Sequence, residues 1–379
     1  MLFRVEQVDT NLDYLNDVLL YFLRSAVGQD RFVKSKLFPT QFLPVVNDPR
    51  SNVDKKFKAL HREIKQLGNS EKALLLRTFR NHSSVEKICG EITFSPKNIF
   101  DLPASLVAVL KELGNYLYSS VLRNSKFVGL ECVNDSVVKH YSRFISKNGE
   151  VCCFCGMRTY TDQLSGATMS DQWSPAYDHY LPKKFFPLTT VNFKNLIPIC
   201  TNCNSKGKGQ INPGYCPDNN RRLSYYPYCG NDMPKLEYKL RINSEDVMDQ
   251  DIWDVKLLLN GVDEEEQQKR QTWDSLFKIT SRLRHRLNVN YKDWVRQALG
   301  GESLSGAGLV GLFRRQTAVY MSQTKRTADS LHKATLFSFL ANLNIDSLEV
   351  LIESANDDVL TPINAEQGRE ELMELGISI

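Results

Sequence analysis

The sequence has few cysteines, no extreme net charge and no long apolar run, and each shortage excludes a class of protein. Nine cysteines among 379 residues is a small, odd number, which argues against a disulfide-paired scaffold and for free or metal-bound thiols in a reducing compartment. A membrane span needs about 18 consecutive apolar residues, and no run approaches that length. Acidic residues near the N-terminus argue against a signal peptide. We therefore expect a cytoplasmic protein without membrane association.

The net charge of +4 conceals an uneven distribution. Residues 1–150 carry 22 Lys and Arg against 16 Asp and Glu, whereas residues 151–230 carry 8 against 4 and residues 231–379 carry 18 against 24. The middle segment also holds seven of the nine cysteines. Because hydrophobic residues make up 42% and charged residues 24% of the chain, the whole is globular in composition. We expect the function to lie in the middle segment.

Apolar residues recur at helical spacing on both sides of the middle segment. The predicted helices cover residues 11–24, 52–67, 70–81, 102–122, 135–146, 263–299, 312–342 and 346–355. A glycine cluster from Gly300 to Gly311 predicts a loop or hinge. The sequence thus predicts a helical N-terminal region at 1–149, a middle module at 150–230, and a helical C-terminal region with an acidic tail at 231–379.

Two Cys-x-x-Cys pairs frame a stretch of the middle module. Cys152 and Cys155 form the first pair, and Cys200 and Cys203 form the second, with 44 residues between the pairs. Two residues between cysteines let a tight turn point both sulfurs at one metal, and four thiolates complete tetrahedral zinc with no open position. The pairs therefore predict a structural Zn²⁺ site, with redox chemistry as the alternative.

The remaining cysteines of the module are weaker candidates. Cys153 would pair with Cys155 at a spacing too short for a good knuckle, so we expect it to pack beside the metal site. Cys216 and Cys229 offer an alternative in which one of them extends the site or replaces a ligand.

Two segments of the module concentrate polar residues of catalytic type. They read Tyr177-Asp178-His179-Tyr180-Leu181-Pro182-Lys183-Lys184 and Asn195-Leu196-Ile197-Pro198-Ile199-Cys200-Thr201-Asn202-Cys203-Asn204-Ser205-Lys206-Gly207-Lys208. They resemble the HNH nuclease family, whose pattern is Asp/Glu-His-x-x-Pro, an Asn before an apolar run, and a second cysteine pair followed by His or Asn and a nearby Lys. Asn204 makes the sequence similar to the His-Asn-Asn variant.

The resemblance covers about residues 150–215. It implies an α+β fold in which a small zinc-stapled ββα-metal module, two strands and a helix around one divalent ion, is embedded between mainly α-helical regions.

The chemistry of phosphodiester hydrolysis suggests a role for each motif residue. A histidine of near-neutral pKa is the natural base for water, and His179 is the one histidine of the middle segment. Asp178 and Asn204 could supply oxygen ligands to a catalytic Mg²⁺ or Mn²⁺, if the strand ends or bends at Asp178 and His179. The resemblance makes Asn195 a catalytic positioner that holds the loop of His179 by hydrogen bonds, with Asn192 as a weaker rival.

Four lysines follow the two motif segments and suit phosphate contacts. They are Lys183, Lys184, Lys206 and Lys208, and the alternative is a solvated basic face. The later run Arg221 to Tyr228 could stack on nucleic acid, although packing of its aromatic rings under the module is the stronger interpretation.

These observations favour a metal-dependent endonuclease that hydrolyses DNA. The alternatives are cleavage of RNA and a non-catalytic, zinc-stapled module that binds nucleic acid. A module without a recognisable sequence-reading motif resembles bacterial defence nucleases, including the HNH subunits of Septu-like anti-phage systems that work beside an ATPase. The acidic C-terminal region would repel nucleic acid and suits a partner subunit, such as an ATPase, or a homo-oligomer.

Overall fold

The structure is a computed structural model that describes residues 2–3, 5–160, 176–228, 236–240, 253–302 and 304–357. It is mainly helical, with two small sheets. The α-helices among the described residues are α1 (Tyr14–Ala26), α2 (Lys34–Leu37), α3 (Leu43–Val46), α4 (Val53–Gln66), α5 (Asn69–Ser83), α6 (Val85–Gly90), α7 (Ala104–Ser119), α8 (Ser125–Val128), α9 (Val137–Asn148), α10 (Glu264–Phe277), α11 (Ile279–Leu299), α12 (Ala307–Ser322), α13 (Ser330–Leu340) and α14 (Ile345–Asp357).

The described strands form two sheets of two strands each. They are β1 (Tyr177–His179), β2 (Leu196–Pro198), β3 (Leu236–Leu240) and β4 (Trp253–Leu257), and they pair as β1 with β2 and as β3 with β4. Short 3₁₀ turns lie at Asn11–Asp13, Thr40–Phe42, Ile99–Asp101, Val121–Arg123 and Pro187–Thr189, and a π-helical segment lies at Asn202–Lys208.

The chain forms two compact units. The first contains the described residues of Met1–Leu236, Leu257–Ile279 and Lys325–Ala328, and the second contains those of Glu237–Lys256, Thr280–Thr324 and Asp329–Ile379. Helix α10 therefore belongs to the first unit, although it follows β4 in the sequence. Among the described residues, none of the helices combines the length and apolar character that crossing a membrane requires.

The core of the first unit explains why the N-terminal helices form. The apolar stripe of α1 buries Phe22, and the stripe of α4 buries Phe57. Their ring centroids lie 4.7 Å apart, and the ring of Phe38 lies 5.0 Å from that of Phe57. Burying each such ring stabilises the fold by about 1.5–3 kcal/mol, which makes this cluster a major support of the unit.

Helix α7 connects this core with the middle segment. Gly114 lies in α7 against the 3₁₀ turn Pro187–Thr189, and a Cβ atom there would stand 2.8 Å from Thr190 Oγ1 and 3.0 Å from the Pro187 carbonyl oxygen. Since real Cβ atoms do not approach other atoms so closely, only glycine lets the turn sit this close to the helix. The turn supplies a contact to the candidate site.

The second unit contains β3, β4 and most of the helices from α11 onward. Phe337 of α13 stacks on Phe313 of α12, with centroids 5.4 Å apart, and on Tyr320, with centroids 5.7 Å apart. Trp253 of β4 packs edge-on against Tyr291 of α11.

Four details of the C-terminal half differ from the helical pattern predicted for it. The predicted helix at 312–342 is two helices, α12 and α13, because the chain leaves the helical conformation between Ser322 and Ser330. Residues 236–240 and 253–257 are strands, and their alternation of apolar and polar residues, as in Trp253-Asp254-Val255-Lys256-Leu257, is the period-2 signal of a sheet. The stripe at 263–299 is two helices, because Lys278 takes a left-handed conformation with φ 55° between α10 and α11. The predicted glycine loop ends at Gly306, so Gly308 and Gly311 lie inside α12. The predicted acidic tail beyond residue 357 lies outside the described residues.

Candidate active site and metal centre

The first cysteine pair sits in a tight knuckle. Val151 and Thr159 form an antiparallel bridge, and the Cys152 backbone N–H donates to the Arg158 carbonyl at 2.8 Å. The turn is closed by the Gly156 N–H, which donates to the Cys152 carbonyl at 2.9 Å, and Gly156 has φ 66°. A left-handed glycine after a Cys-x-x-Cys pair lets the chain reverse around the two sulfurs.

The second cysteine pair joins β2 to the π-helical segment. Cys200 follows β2 after one residue, and the Asn204 N–H donates to the Cys200 carbonyl at 3.0 Å, which starts the helical turn. The Gly209 N–H donates to the Asn204 carbonyl at 3.0 Å, the i to i+5 bond of a π-helix. The knuckle therefore fixes where the helical segment begins.

The four predicted cysteine ligands converge. The Sγ atoms of Cys152, Cys155, Cys200 and Cys203 lie within 4.8 Å of one another, and all four residues are buried. The Sγ atoms of Cys155 and Cys200 are 3.9 Å apart, close to the ~3.8 Å between ligands expected of a tetrahedron with metal–sulfur bonds of ~2.3 Å. The neighbouring thiols lower the pKa of Cys200 and Cys155, whereas burial raises the pKa of Cys152, so the cluster without a metal holds a mixture of thiolates and thiols. These four residues could hold a metal ion.

The other cysteines stand outside this cluster. Burial raises the pKa of Cys153 to about 12, so it is a packed thiol, and its backbone N–H donates to the Tyr160 hydroxyl at 2.9 Å. Cys216 is half-buried and does not join the four. Cys229 lies outside the described residues.

Strands β1 and β2 place the first motif segment. The pairing aligns Asp178 with Ile197 and His179 with Leu196. Strand β1 ends at His179. This is where the strand has to end if the side chains of Asp178 and His179 are to flank one ligand. The Tyr177 hydroxyl and His140 Nδ1 of α9 share a hydrogen bond of 2.6 Å, which anchors the strand to the helical core.

His179 is half-buried and has a defined tautomer. Its Nε2 lies 3.0 Å from the Thr190 carbonyl oxygen. Since a carbonyl only accepts, Nε2 carries the proton and Nδ1 keeps its lone pair. Burial lowers the pKa of His179 to about 4, and nearby Lys183 and Lys208 act in the same direction. The ring of Tyr118 packs edge-on at 4.5 Å. The imidazole is therefore neutral at pH 7 with a lone pair on Nδ1, but a pKa of about 4 makes it a weaker base than the near-neutral histidine expected from the sequence.

Asn195 braces the loop that follows His179. Its Oδ1 accepts from the Leu181 N–H at 2.7 Å, and its Nδ2 donates to the Leu181 carbonyl and to Thr189 Oγ1, both at 3.0 Å. Its carbonyl accepts from the Tyr180 N–H at 2.9 Å. Asn192, the weaker rival, instead caps its own turn by accepting from the Lys194 N–H.

Asp178 and Lys208 form a buried ion pair. The Lys208 ammonium lies 3.1 Å from Asp178 Oδ1 and 3.0 Å from Oδ2, and it also donates to the His179 carbonyl at 3.1 Å. Lys208 is 0% exposed and Asp178 is 4% exposed. Burial raises the pKa of Asp178 above its ordinary value, and the ammonium opposes that rise. Lys208, expected on a phosphate-binding surface, thus neutralises a buried carboxylate, because the π-helical turn directs it inward.

The other predicted residues lie nearer the surface. The Asn204 side chain is half-buried and makes no hydrogen bond with the part of the chain that the structure describes. Lys184 and Lys206 are exposed, and Lys183 is half-buried. In the later aromatic run, Tyr225 and Tyr226 are buried, in accord with packing rather than with an exposed stacking surface.

Two contacts of the site were not predicted from the sequence. Thr190 binds His179 through its backbone carbonyl, and a backbone contact leaves no residue-type signal. Tyr118 belongs to a helical stripe of α7 that predicts only packing. A comparison with protein families, with curated proteins and with solved structures finds no match to this chain.

Proposed function

We propose that residues 150–215 form an HNH-type nuclease module, stapled by one Zn²⁺ on the four cysteines, and that the protein is an endonuclease that hydrolyses phosphodiester bonds in DNA. The observation that carries the proposal is the orientation of His179. Its Nε2 is committed to the Thr190 carbonyl at 3.0 Å, which leaves Nδ1 as the acceptor that general-base chemistry needs.

In the proposed reaction, His179 Nδ1 takes a proton from a water molecule while the water oxygen bonds to phosphorus. The bond between phosphorus and the 3′ oxygen breaks, and that oxygen takes a proton from solvent. The products carry a 5′-phosphate and a 3′-hydroxyl. Asn195 keeps the loop after His179 in place, and Lys183, whose charge already acts on His179, is placed to balance phosphate charge.

The four-cysteine cluster fits Zn²⁺, since its sulfur spacing matches a closed tetrahedral site. A zinc ion there would be structural. It would fix the turn at Cys155 and the start of the π-helical segment at Asn202, and thereby set the positions of the elements around His179.

A catalytic Mg²⁺ or Mn²⁺, which the family resemblance implies, does not fit at Asp178 in this conformation. Both carboxylate oxygens lie within 3.1 Å of the Lys208 ammonium, and neither side chain is open to solvent. The fixed positive charge already balances Asp178, and none of the steps above passes through a divalent ion.

The same ion pair favours a second candidate, a non-catalytic zinc-stapled module that binds nucleic acid. In that case Lys208 would fill for structural reasons the place that a catalytic cation takes elsewhere. RNA in place of DNA is also compatible with the site, because His179 would act on a phosphate and not on a base.

The test is a cleavage assay on plasmid, linear DNA and RNA, each with Mg²⁺, with Mn²⁺ and without added divalent ion. We expect the wild-type chain to nick or cut DNA and the His179→Ala variant to lose the activity by at least about a hundredfold, the typical contribution of a general base. His285→Ala, which alters an exposed histidine of α11, is the matched control.

Zinc content and circular dichroism must be unchanged in both variants. Cleavage by folded, zinc-loaded His179→Ala would refute the mechanism. A wild-type protein that binds nucleic acid and never cuts it would favour the second candidate.

A further inference from the structure

A cleft of about 750 Å³ lies in the first unit. Its walls come from residues 96–100, from Phe185 and Phe186, and from residues between Gln210 and Asn219. Phe185 follows Lys183 and Lys184 on the loop that begins at His179, and Gln210 comes two residues after Lys208. The chain therefore places the cleft beside the elements that hold the candidate catalytic histidine.

Four Phe and Tyr rings line the cleft, and three of them have a basic side chain against the ring. Lys111 Nζ lies 4.8 Å from the centroid of Phe100, Lys184 Nζ lies 5.3 Å from that of Phe185, and the Arg221 guanidinium lies 4.9 Å from that of Tyr215. Phe100 is 50% exposed, and its ring stands perpendicular to that of Phe185 with centroids 6.4 Å apart. An exposed aromatic ring flanked by cations is what a stacked base and its phosphate would contact.

The polar side chains of the cleft are mainly amides, together with Lys97, His82, Tyr215 and Cys216. Among the described residues that line it, none is an aspartate or a glutamate. Asn98 and Asn212 are fixed in place, because their Oδ1 atoms accept from the backbone N–H groups of Phe100 and Gly214 at 3.0 and 3.1 Å. Their NH₂ groups remain as donors, of the kind that reads a base edge. Lys97, also at the wall, is exposed and adds positive charge.

The combination selects one kind of occupant. Exposed aromatic faces suit a planar ring, the amides suit its polar edge, and the surrounding cations suit a phosphate. The volume lies within the range of about 300–1,000 Å³ typical of small-ligand sites, which admits a nucleotide and not a duplex. A base can enter only when it is unpaired and out of its stack.

We propose that this cleft binds an unpaired nucleobase of a nucleic-acid strand, stacked on Phe100, while Lys111 and Lys184 contact its phosphates. The Arg221 guanidinium is held by the backbone carbonyls of Gly214, Ile88 and Glu91 and supports the Tyr215 ring instead. The proposal rests on the nuclease assignment for its biological sense, and it gives the substrate class: single-stranded DNA or duplex with an unpaired segment.

The experiment measures binding of a short fluorescein-labelled oligothymidine, and of a duplex of equal length, to the full chain without added divalent ion. We expect the single strand to bind at least about tenfold more tightly than the duplex. Phe100→Ala should weaken single-strand binding by about tenfold, the loss expected for one stacked base, and Phe100→Trp should restore it. Tyr21→Ala, at another exposed aromatic residue of the same unit, is the control.

Equal single-strand affinity of wild type and folded Phe100→Ala would overturn the proposal, as would an equal loss in Tyr21→Ala. Thymidine 5′-monophosphate should compete far more weakly than the unlabelled strand, and equal competition would identify the cleft as a free-nucleotide site instead. Cleavage is scored separately. Absent cleavage with Phe100-dependent binding refutes the nuclease alone, whereas cleavage with unaltered binding in Phe100→Ala refutes the cleft alone.

Discussion

The ammonium of Lys208 lies 3.0 Å from Asp178 Oδ2, and this ion pair joins the strand that carries His179 to the end of the π-helical segment. The same ammonium donates to the His179 and Gly209 carbonyls. One buried lysine thus holds the two motif segments together. In the sequence it lies at the end of the second segment that is farther from the cysteine pair. Its energetic role follows from the cost of leaving a buried charge without its partner.

We expect Lys208→Met to lower the free energy of unfolding by about 3–5 kcal/mol, because Asp178 would remain buried without a counter-ion. The double variant Asp178→Asn with Lys208→Met should recover at least half of that loss, since no charge is then left unpaired. Urea unfolding at pH 7, followed by tryptophan fluorescence, measures both.

Lys206→Met is the matched control for that series, because Lys206 is exposed two residues earlier in the same segment. It should change the free energy of unfolding by less than about 0.5 kcal/mol, as surface substitutions do. A Lys208→Met protein as stable as the control would show that the ion pair contributes nothing to the fold.

A second prediction concerns Gly114, which lets α7 approach the turn that carries the Thr190 carbonyl. A Cβ at position 114 would meet Thr190 Oγ1 at 2.8 Å, so Gly114→Ala should destabilise the protein by about 1–3 kcal/mol through overpacking. The turn would shift, and the contact between Thr190 and His179 would lengthen. Thermal unfolding measures the stability, and the cleavage assay measures the effect on the site.

Gly90→Ala provides the comparison, because nothing lies within 4 Å of a Cβ built at that helical position. Alanine has the higher helix propensity, so this variant should be neutral or slightly more stable. If Gly114→Ala behaves as Gly90→Ala does, the close approach of α7 to the turn is not a constraint.

The sequence allowed the parts of this arrangement that depend on local spacing to be predicted. The spacing within each Cys-x-x-Cys pair is a local requirement of metal binding, and two such pairs framing one motif segment predicted the convergence of Cys152, Cys155, Cys200 and Cys203. The long amphipathic helices α1, α4 and α7 also followed, because their apolar stripes persist over several turns.

The parts that depend on tertiary position could not be predicted. A lysine after a motif has the same signature whether it faces phosphate or a buried carboxylate, and only the π-helical turn decides that Lys208 points inward. The break at Lys278 could not be predicted because no glycine marks it in the sequence. A lysine can take the left-handed conformation between two helices when the surrounding contacts hold it there. The cleft was missed because its aromatic rings come from segments far apart in the chain.

A third prediction concerns metal content. The purified wild-type chain should carry about one zinc per molecule, and Cys200→Ser should lose it, because serine is a poor ligand in a four-thiolate site. We expect a fall in thermal midpoint with the loss of the metal, since its binding energy contributes to folding. Elemental analysis and thermal unfolding on the same sample measure both.

Cys216→Ser is the control for metal content, as Cys216 is half-buried and outside the cluster. It should retain the zinc and the wild-type thermal midpoint. Zinc retained at full stoichiometry by Cys200→Ser, or lost by Cys216→Ser, would require a different ligand set.

The last prediction uses two histidines buried away from the cysteines. Burial lowers the pKa of His82 to about 4 and that of His140 to about 4, from an ordinary value of 6.5. Both are neutral in the folded state, whereas the unfolded chain binds a proton on each below pH 6.5. Their stabilising contribution is therefore complete above pH 6.5 and is lost as the pH falls towards 4, by up to about 3 kcal/mol for each histidine.

His82→Gln tests this dependence, because glutamine does not titrate and can still donate to the Lys97 carbonyl that His82 Nε2 contacts at 2.8 Å. The drop in unfolding free energy between pH 7 and pH 4.5 should be smaller in His82→Gln than in wild type, by an amount approaching the contribution of one titrating histidine. The exposed His285→Gln should keep the wild-type drop. A comparison of the drop across pH, rather than of the stability at one pH, separates the loss of a titrating group from any change in packing. An identical drop in wild type and His82→Gln would therefore show that the fold does not hold His82 neutral.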